Sequence, residues 1–289
     1  MKKKLIAIPI EIYKREFFYM LYLTLILIEN DFQVVIGDQN EAIFRRLKKG
    51  IYFHKDHANW SRNLISKARK NLMKIAIFDV EGLIYISEND YVNTRISKEI
   101  LEVSDFIFCW GEKQKKLLTK VVPNPKNIYV TGSPKIDISN LVLLKNSNKS
   151  IDKFSKNILI NTRFAVNNGV TYEVELKNQK KLGIIKNNND LKLFNDFYES
   201  DVQIYNEFLL LIEGLAMNHQ LRITIRPHPR EICETYMNLF SKFSNVIVDN
   251  KTQLSDQFEL NDCVIHDGCT TAIEARASGL PVFGLRPRN

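Results

Sequence analysis

The chain has 289 residues, 45% hydrophobic and 26% charged, enough to bury the core of one large or two ordinary globular domains, and disordered, collagen-like and coiled-coil readings are excluded. Lys and Arg outnumber Asp and Glu by 41 to 33, and the formal charge of +8 is spread along the chain. That charge suits a phosphate-bearing small molecule, an anionic membrane surface or RNA without selecting among them, while 4 cysteines lacking a CxxC pair fit a reducing cytoplasm.

Strand-like and helix-like runs alternate from the start. Lys4 to Ile10 reads as a strand and not a signal peptide, because Pro9, Glu11, Lys14, Arg15 and Glu16 break the apolar run and no small-residue cleavage site follows. Phe17 to Ile28 is uncharged for only 12 residues, short of the roughly 20 that cross a bilayer. It reads as a buried helix, with a helix lying on a membrane surface as the alternative. A strand at 32–36, a helix at 41–49, a strand at 51–54 and a helix at 60–72 lead to the strand 74–78, which runs into Asp79-Val80-Glu81-Gly82. A helix at 97–103, a strand at 106–110, a helix at 112–121 and a strand at 128–131 follow, ending in Gly132-Ser133-Pro134-Lys135-Ile136-Asp137.

Residues 141–157 lose periodicity and gain Asn, Ser and Lys, the composition of a linker. They separate an N-terminal domain, 1–140, from a C-terminal domain, 158–289. The second half reads as a strand at 158–161, an irregular Asn-rich stretch at 164–190 and a long helix at 193–217. A strand at 221–225 opens into Arg226-Pro227-His228-Pro229. A helix at 236–243, strands at 246–248 and 263–265, a helix opening at Thr270-Thr271 and a strand at 281–285 complete it. Strands alternating with helices imply right-handed crossovers, parallel sheets and two Rossmann-like halves facing a central cleft. The last residues, 286–289, directly follow a strand with no closing helix, so a truncated C-terminal domain, or one completed by another element, is expected.

No GxGxxG, Walker A, HExxH or GxSxG motif and no metal-spaced Cys/His set is present, which removes sequence support for dehydrogenase, P-loop, zincin and serine-hydrolase chemistry. Three polar groups instead fall just past predicted parallel strands, where open α/β sheets bind ligands. Asp79 and Glu81 enter a loop in which Gly82 permits close approach, so either carboxylate could take a proton or attack a sugar carbon; an ordinary strand-end turn is the alternative. In Arg226-Pro227-His228-Pro229-Arg230, two prolines stiffen a turn around one imidazole and two guanidiniums, a set suited to a departing phosphate. In His266-Asp267-Gly268-Cys269-Thr270-Thr271-Ala272-Ile273-Glu274, small residues open a helix whose N–H groups and hydroxyls can meet an anion, while Thr271 and Glu274 match a capping box.

Together with Tyr91, Arg95 and the segments 108–114 and 132–137, these motifs resemble bacterial surface-carbohydrate biosynthesis proteins of the GT-B glycosyltransferase type. Their order is similar to that in transferases that use CMP-activated sialic acids or Kdo. The resemblance spans about residues 75–285. It implies a metal-independent, cytoplasmic transferase without a bound cofactor, moving a nucleotide-linked sugar onto a surface glycan or glycolipid, with peripheral association at the inner membrane face and no nucleic-acid partner. It implies Glu81 as base or nucleophile with Asp79 as rival, and His228 on the donor phosphate with Thr270 and Thr271. Arg226, Gly268, Glu274, Asn161 and Arg163 join them in the donor site. Where that family places two adjacent acids before the glycine, this chain has Val80, so the choice between Asp79 and Glu81 stays open. A polyol-phosphate transferase, a nucleotide-sugar epimerase and a non-catalytic membrane-surface module are the competing readings.

Overall fold

A computed structural model describes residues 3–79, 81–85, 87–122, 127–145 and 156–285. The chain divides into two compact units, Met1–Ile138 and Ser139–Asn289. The first unit contains β1 (Lys4–Ile10), α1 (Tyr13–Glu29), β2 (Phe32–Asp38), α2 (Ala42–Arg46), β3 (Ile51–His54), α3 (Arg62–Lys70) and β4 (Lys74–Phe78). It continues with α4 (Glu88–Arg95), α5 (Lys98–Val103), β5 (Phe106–Cys109), α6 (Glu112–Val121) and β6 (Ile128–Val130), after which comes α7 (Pro134–Lys145). The second unit contains β7 (Lys156–Asn161), α8 (Tyr172–Lys181), α9 (Asn188–Ala216), β8 (Leu221–Arg226) and α10 (Cys233–Leu239). It ends with β9 (Val246–Val248), α11 (Leu254–Leu260), β10 (Cys263–His266), α12 (Thr271–Ala277) and β11 (Val282–Gly284).

Both sheets are parallel throughout. The first runs β2-β1-β3-β4-β5-β6 and the second β11-β10-β7-β8-β9. Inner strands such as Lys4–Ile10, Lys74–Phe78 and Lys156–Asn161 are buried over nearly their whole length because helices cover both sheet faces, which is why they read as unbroken apolar runs. In unit 1, α1 sets Tyr19, Met20 and Leu23 against Ile6, Ile8 and Phe78 on one face, while Phe44, Ile65 and Ile100 pack with Ile75 and Ile77 on the other. In unit 2, Phe208 and Ile212 of α9 cover Ile160, Ile223 and Ile225.

Several helices depart from the expected elements. The helix α4 lies between the acidic loop and the expected helix 97–103, started by the Ser87 side chain accepting from Asp90 N–H. In the stretch expected to be irregular, Thr171 caps α8 and an Asn187/Asp190 capping box starts α9. Local caps set these starts where hydrophobic periodicity is weak. The first helix begins at Tyr13, so Arg15 and Glu16 lie in its first turn. Of the expected linker, 141–145 continue α7, 156–157 open β7, and 146–155 fall outside the described residues, as do 286–289. Among the described residues no helix is long and apolar enough to cross a membrane.

Candidate active site

In unit 1 the chemistry gathers beyond the carboxyl ends of β1, β3 and β4. Asp79 leaves β4 almost fully buried and accepts four hydrogen bonds: Arg95 Nη2 at 3.0 Å, Tyr91 Oη at 2.8 Å, Glu81 N–H at 3.2 Å and Gly82 N–H at 3.1 Å. Gln114 Nε2 donates to the Tyr91 hydroxyl at 2.8 Å, and His57 Nδ1 donates to the Arg95 carbonyl at 2.7 Å. Burial pushes the Asp79 carboxyl up, but the charges of His57 and Arg95, with the bonds from Arg95 and Tyr91, prevail and hold it below its ordinary range. Burial, followed by the neighbouring Asp79 charge, pushes the Tyr91 phenol far up, so it stays a donor. Gly82 is required here, since a Cβ on it would lie 2.1 Å from Asp79 Oδ2 and 2.7 Å from Tyr91 Oη.

Glu81 has a different setting. Its side chain is 29% exposed and meets two guanidiniums, Arg15 Nη2 at 2.5 Å and Arg95 Nη1 at 3.7 Å. Asp79 therefore builds the loop, and Glu81 is the carboxylate that the loop presents. The other cations nearby have further partners. Lys55 bridges Glu11 and Glu16, and Arg95 also lies 5.6 Å from the Trp60 ring centre. Sequence reasoning left out Arg15, His57 and Lys55, although His54-Lys55-Asp56-His57 directly after a predicted strand is a signal of the same kind as the motifs singled out.

An apolar cavity of roughly 330 Å³ also lies in unit 1, lined by Leu23 and Leu27 of α1 and by Phe53, Phe78 and Phe108 of the sheet. It occupies the sheet face covered by α1 and holds none of these charged groups.

In unit 2 the parallel register sets Asn161 beside both His266 and Arg226, one row across the carboxyl edge of β10, β7 and β8. Asn161 is 5% exposed, and among the described residues neither its Oδ1 nor its Nδ2 has a partner. Two residues beyond Arg226 stands His228, whose Nδ1 accepts the Arg230 N–H at 3.2 Å, placing the proton of the neutral ring on Nε2. Glu231 locks this turn: it accepts the His228 N–H at 2.8 Å, the Tyr236 hydroxyl at 2.6 Å and the Thr162 hydroxyl at 2.9 Å. Burial raises the Glu231 carboxyl above its ordinary range against the pull of those donors. Asn168 and Ile232 exchange two bonds, and a Cβ on Gly169 would lie 2.1 Å from the Arg230 carbonyl oxygen, so the loops after β7 and β8 are fitted to each other.

Arg163 donates to Asp201 Oδ1 at 2.9 Å and to the Asp267 carbonyl at 2.8 Å, and it forms an ion pair with the Asp267 carboxylate. It ties the loop after β7 to the loop after β10. Gly268 has φ of 62°, the left-handed region that favours glycine. The expected capping box does not form: the N-cap of α12 is Thr270, without a side-chain cap bond, and Glu274 lies buried in the helix. Burial raises the Cys269 thiol, which disfavours a thiolate beside it. Among the described residues no group of three or more His, Cys, Asp or Glu could hold a metal ion. The site residues thus fall into two sets, Asp79 and Glu81 in unit 1, and Asn161, Arg163, Arg226, His228, Gly268, Thr270, Thr271 and Glu274 in unit 2.

No family profile and no curated protein matches the sequence. Solved structures match in fold. S. aureus MnaA with UDP aligns over 99% of this chain and 80% of its own, with TM-score 0.64 and 13% identity. UDP-GlcNAc 2-epimerase from Neisseria meningitidis bound to UDP-GlcNAc aligns over 99% and 83%, with TM-score 0.65 and 15% identity. The wall teichoic acid polymerase TagF with CDPG aligns over 99% and 70%, with TM-score 0.56 and 12% identity. At such identities the likeness establishes the fold: two parallel-sheet α/β units arranged along the chain as in these GT-B-like proteins.

Proposed function

We propose that the protein is a glycosyltransferase whose unit 2 holds a pyrimidine-nucleotide sugar and whose unit 1 supplies the acceptor-side carboxylate, Glu81. The observation that carries this reading is the carboxyl edge of unit 2, where Asn161, His266 and Arg226 share one row and His228 is held with its proton on Nε2. Three strands converge there on groups suited to a phosphate, at the position where a sheet of this order reverses direction between β7 and β10. Thr270, Thr271, Gly268 and Glu274 belong to the same end of the sheet and complete the donor site in this reading. Arg163 enters it as a brace.

In the proposed reaction Glu81 takes the proton of the acceptor hydroxyl, and the acceptor oxygen bonds to the anomeric carbon. The bond from that carbon to the donor phosphate breaks, and its electron pair leaves on the phosphate oxygen, where Nε2–H of His228 and the Arg226 guanidinium stabilise it. The donor on unit 2 must meet Glu81 of unit 1 for this step. The reading asks for one partly exposed carboxylate in the acidic loop, which fits Glu81 at 29% exposure beside an Asp79 spent on four hydrogen bonds.

The motif resemblance favours a CMP-linked ulosonic acid as donor, whereas the solved neighbours were captured with UDP, UDP-GlcNAc and CDPG. Uridine and cytidine donors therefore enter the same test. The neighbours that are 2-epimerases support a second reading, sugar-nucleotide epimerisation. A cytoplasmic location at the membrane surface, facing a glycan or glycolipid acceptor, is part of the proposal; Phe18, Leu25 and Ile28 on the outer side of α1 are about half exposed. The test is incubation of the full chain with CMP-, CDP- and UDP-linked sugars and lipid or glycan acceptors, followed by mass spectrometry. Transfer that disappears in Glu81→Gln and His228→Ala supports the assignment. Conversion of a UDP-sugar to its 2-epimer without acceptor replaces it with the second reading.

A further inference from the structure

We propose that unit 1 carries a receptor for an anionic group of the acceptor, a phosphate or a carboxylate, in which Arg15 is the receiving cation and Glu81 the carboxylate that it exchanges for the ligand. This rests on the reading of Glu81 as the acceptor-side base and adds the acceptor's chemical class.

The sheet order places the switch point of unit 1 between β1 and β3: the chain leaves β1 for β2 on one side and returns to β3 on the other, so the loops beyond these strands diverge. Arg15 lies in the first turn after β1, Lys55 directly follows β3, and Glu81 enters from the loop after β4. Of these cations Arg15 is the most exposed, at 30% against 12% for Lys55 and 19% for Arg95, and its carboxylate partner is not buried. Lys55 is neutralised by Glu11 and Glu16, and Arg95 is anchored on buried Asp79. A guanidinium carries five N–H donors in a fork that fits phosphate and carboxylate oxygens, whereas Arg15 spends one nitrogen on one Glu81 oxygen.

Exchange is inexpensive. The Arg15 and Glu81 side chains are 30% and 29% exposed, and Glu81 keeps its second guanidinium, Arg95 Nη1 at 3.7 Å, so no buried charge loses its partner. No side chain caps the start of α1, whose partial positive charge favours an anion at Arg15. Once the ligand's anion takes Arg15, Glu81 Oε1 is open to accept the proton of the ligand's hydroxyl. An uncharged acceptor leaves Oε1 engaged and is a poor substrate.

The test uses the full chain labelled with ¹³C at the glutamate carboxylates, with methyl phosphate, acetate and methanol as probes. The Glu81 resonance, identified by its loss in Glu81→Gln, reports unit 1 alone, so phosphate bound elsewhere is not counted. Methyl phosphate, acetate or both should move that resonance saturably and methanol should not, and which of them acts distinguishes a phosphate from a carboxylate acceptor. Affinity, read from the Glu81 resonance, should fall roughly tenfold or more in Arg15→Gln and stay intermediate in Arg15→Lys; in Glu81→Gln, read from the indole N–H of Trp60 beside Arg95, it should rise, since the competing carboxylate is gone. An unmoved Glu81 signal, equal affinity in Arg15→Gln, or weaker binding in Glu81→Gln overturns the proposal. Arg15-dependent binding without nucleotide binding at unit 2 would refute the transferase reading while leaving the receptor in place.

Discussion

Two carboxylates two positions apart should respond in opposite ways to the same chemical change. In Asp79→Asn one acceptor oxygen becomes an NH₂ group, so whichever way the amide turns, a donor faces Tyr91 Oη or the Arg95 guanidinium, and Arg95 loses its buried countercharge. Removing one partner of a buried pair costs about 3–5 kcal/mol. The Arg95 side chain keeps 19% exposure, which places the expected loss near the lower end, about 3 kcal/mol. For a unit of this size that is a fall in Tm of about 10 °C. Both tryptophans, Trp60 and Trp110, lie in unit 1, so urea unfolding followed by tryptophan fluorescence reads this unit selectively. In Glu81→Gln only partly exposed pairs are lost, and the same curve should shift by less than about 1 kcal/mol while transfer disappears. The pH dependence has a definite sign. Because the folded Asp79 carboxyl lies below its unfolded value, its stabilisation is complete above about pH 4 and is lost as pH falls through the folded value. Asp79→Asn should therefore show a shallower acid loss than wild type. An Asp79→Asn protein within about 1 kcal/mol of wild type, or a Glu81→Gln protein equally destabilised, refutes the division between a building and a presented carboxylate.

Gly82→Ala should destabilise unit 1 by about 1–3 kcal/mol in the same fluorescence assay, because its Cβ meets Asp79 and Tyr91, which are both held in place. Gly169→Ala should loosen the Arg226–Arg230 turn, seen as faster amide exchange at His228 and Glu231 with unit 1 unaffected. Glu231 has the opposite sign to Asp79: with its folded value raised by burial, it favours the fold most below about pH 4, and that contribution fades as pH rises through the folded value. Hydrogen exchange in β7 and β8 should therefore show unit 2 losing relative stability with rising pH, and Glu231→Gln should flatten the trend.

The strands were legible because parallel strands buried on both faces must be apolar throughout, as Lys4–Ile10, Lys74–Phe78 and Lys156–Asn161 show. The helices α4, α8 and α11 were not, since Glu88–Arg95, Tyr172–Lys181 and Leu254–Leu260 are short or polar and draw their starts from local caps and packing. The three motifs were visible as polar residues past strand ends, a place that topology reserves for ligands. What distinguishes Asp79 from Glu81 lies elsewhere in the chain, in Tyr91, Arg95 and Gln114, which only the folded unit gathers around one oxygen pair. For the same reason the role of Glu231 was hidden: its partners Thr162 and Tyr236 come from another loop and from α10. The capping-box pattern at Thr271 and Glu274 misled because the helix begins one residue earlier than the pattern assumes, with Thr270 at the cap.

Calorimetric titration of UDP, CDP and CMP into the wild-type chain, His228→Ala and Glu81→Gln tests the donor site most directly. At least one of these nucleotides should bind wild type, His228→Ala should weaken it roughly tenfold or more, and Glu81→Gln should bind it as wild type does. Absence of binding by wild type, or binding that ignores His228 and is lost in Glu81→Gln, would contradict a donor site on unit 2.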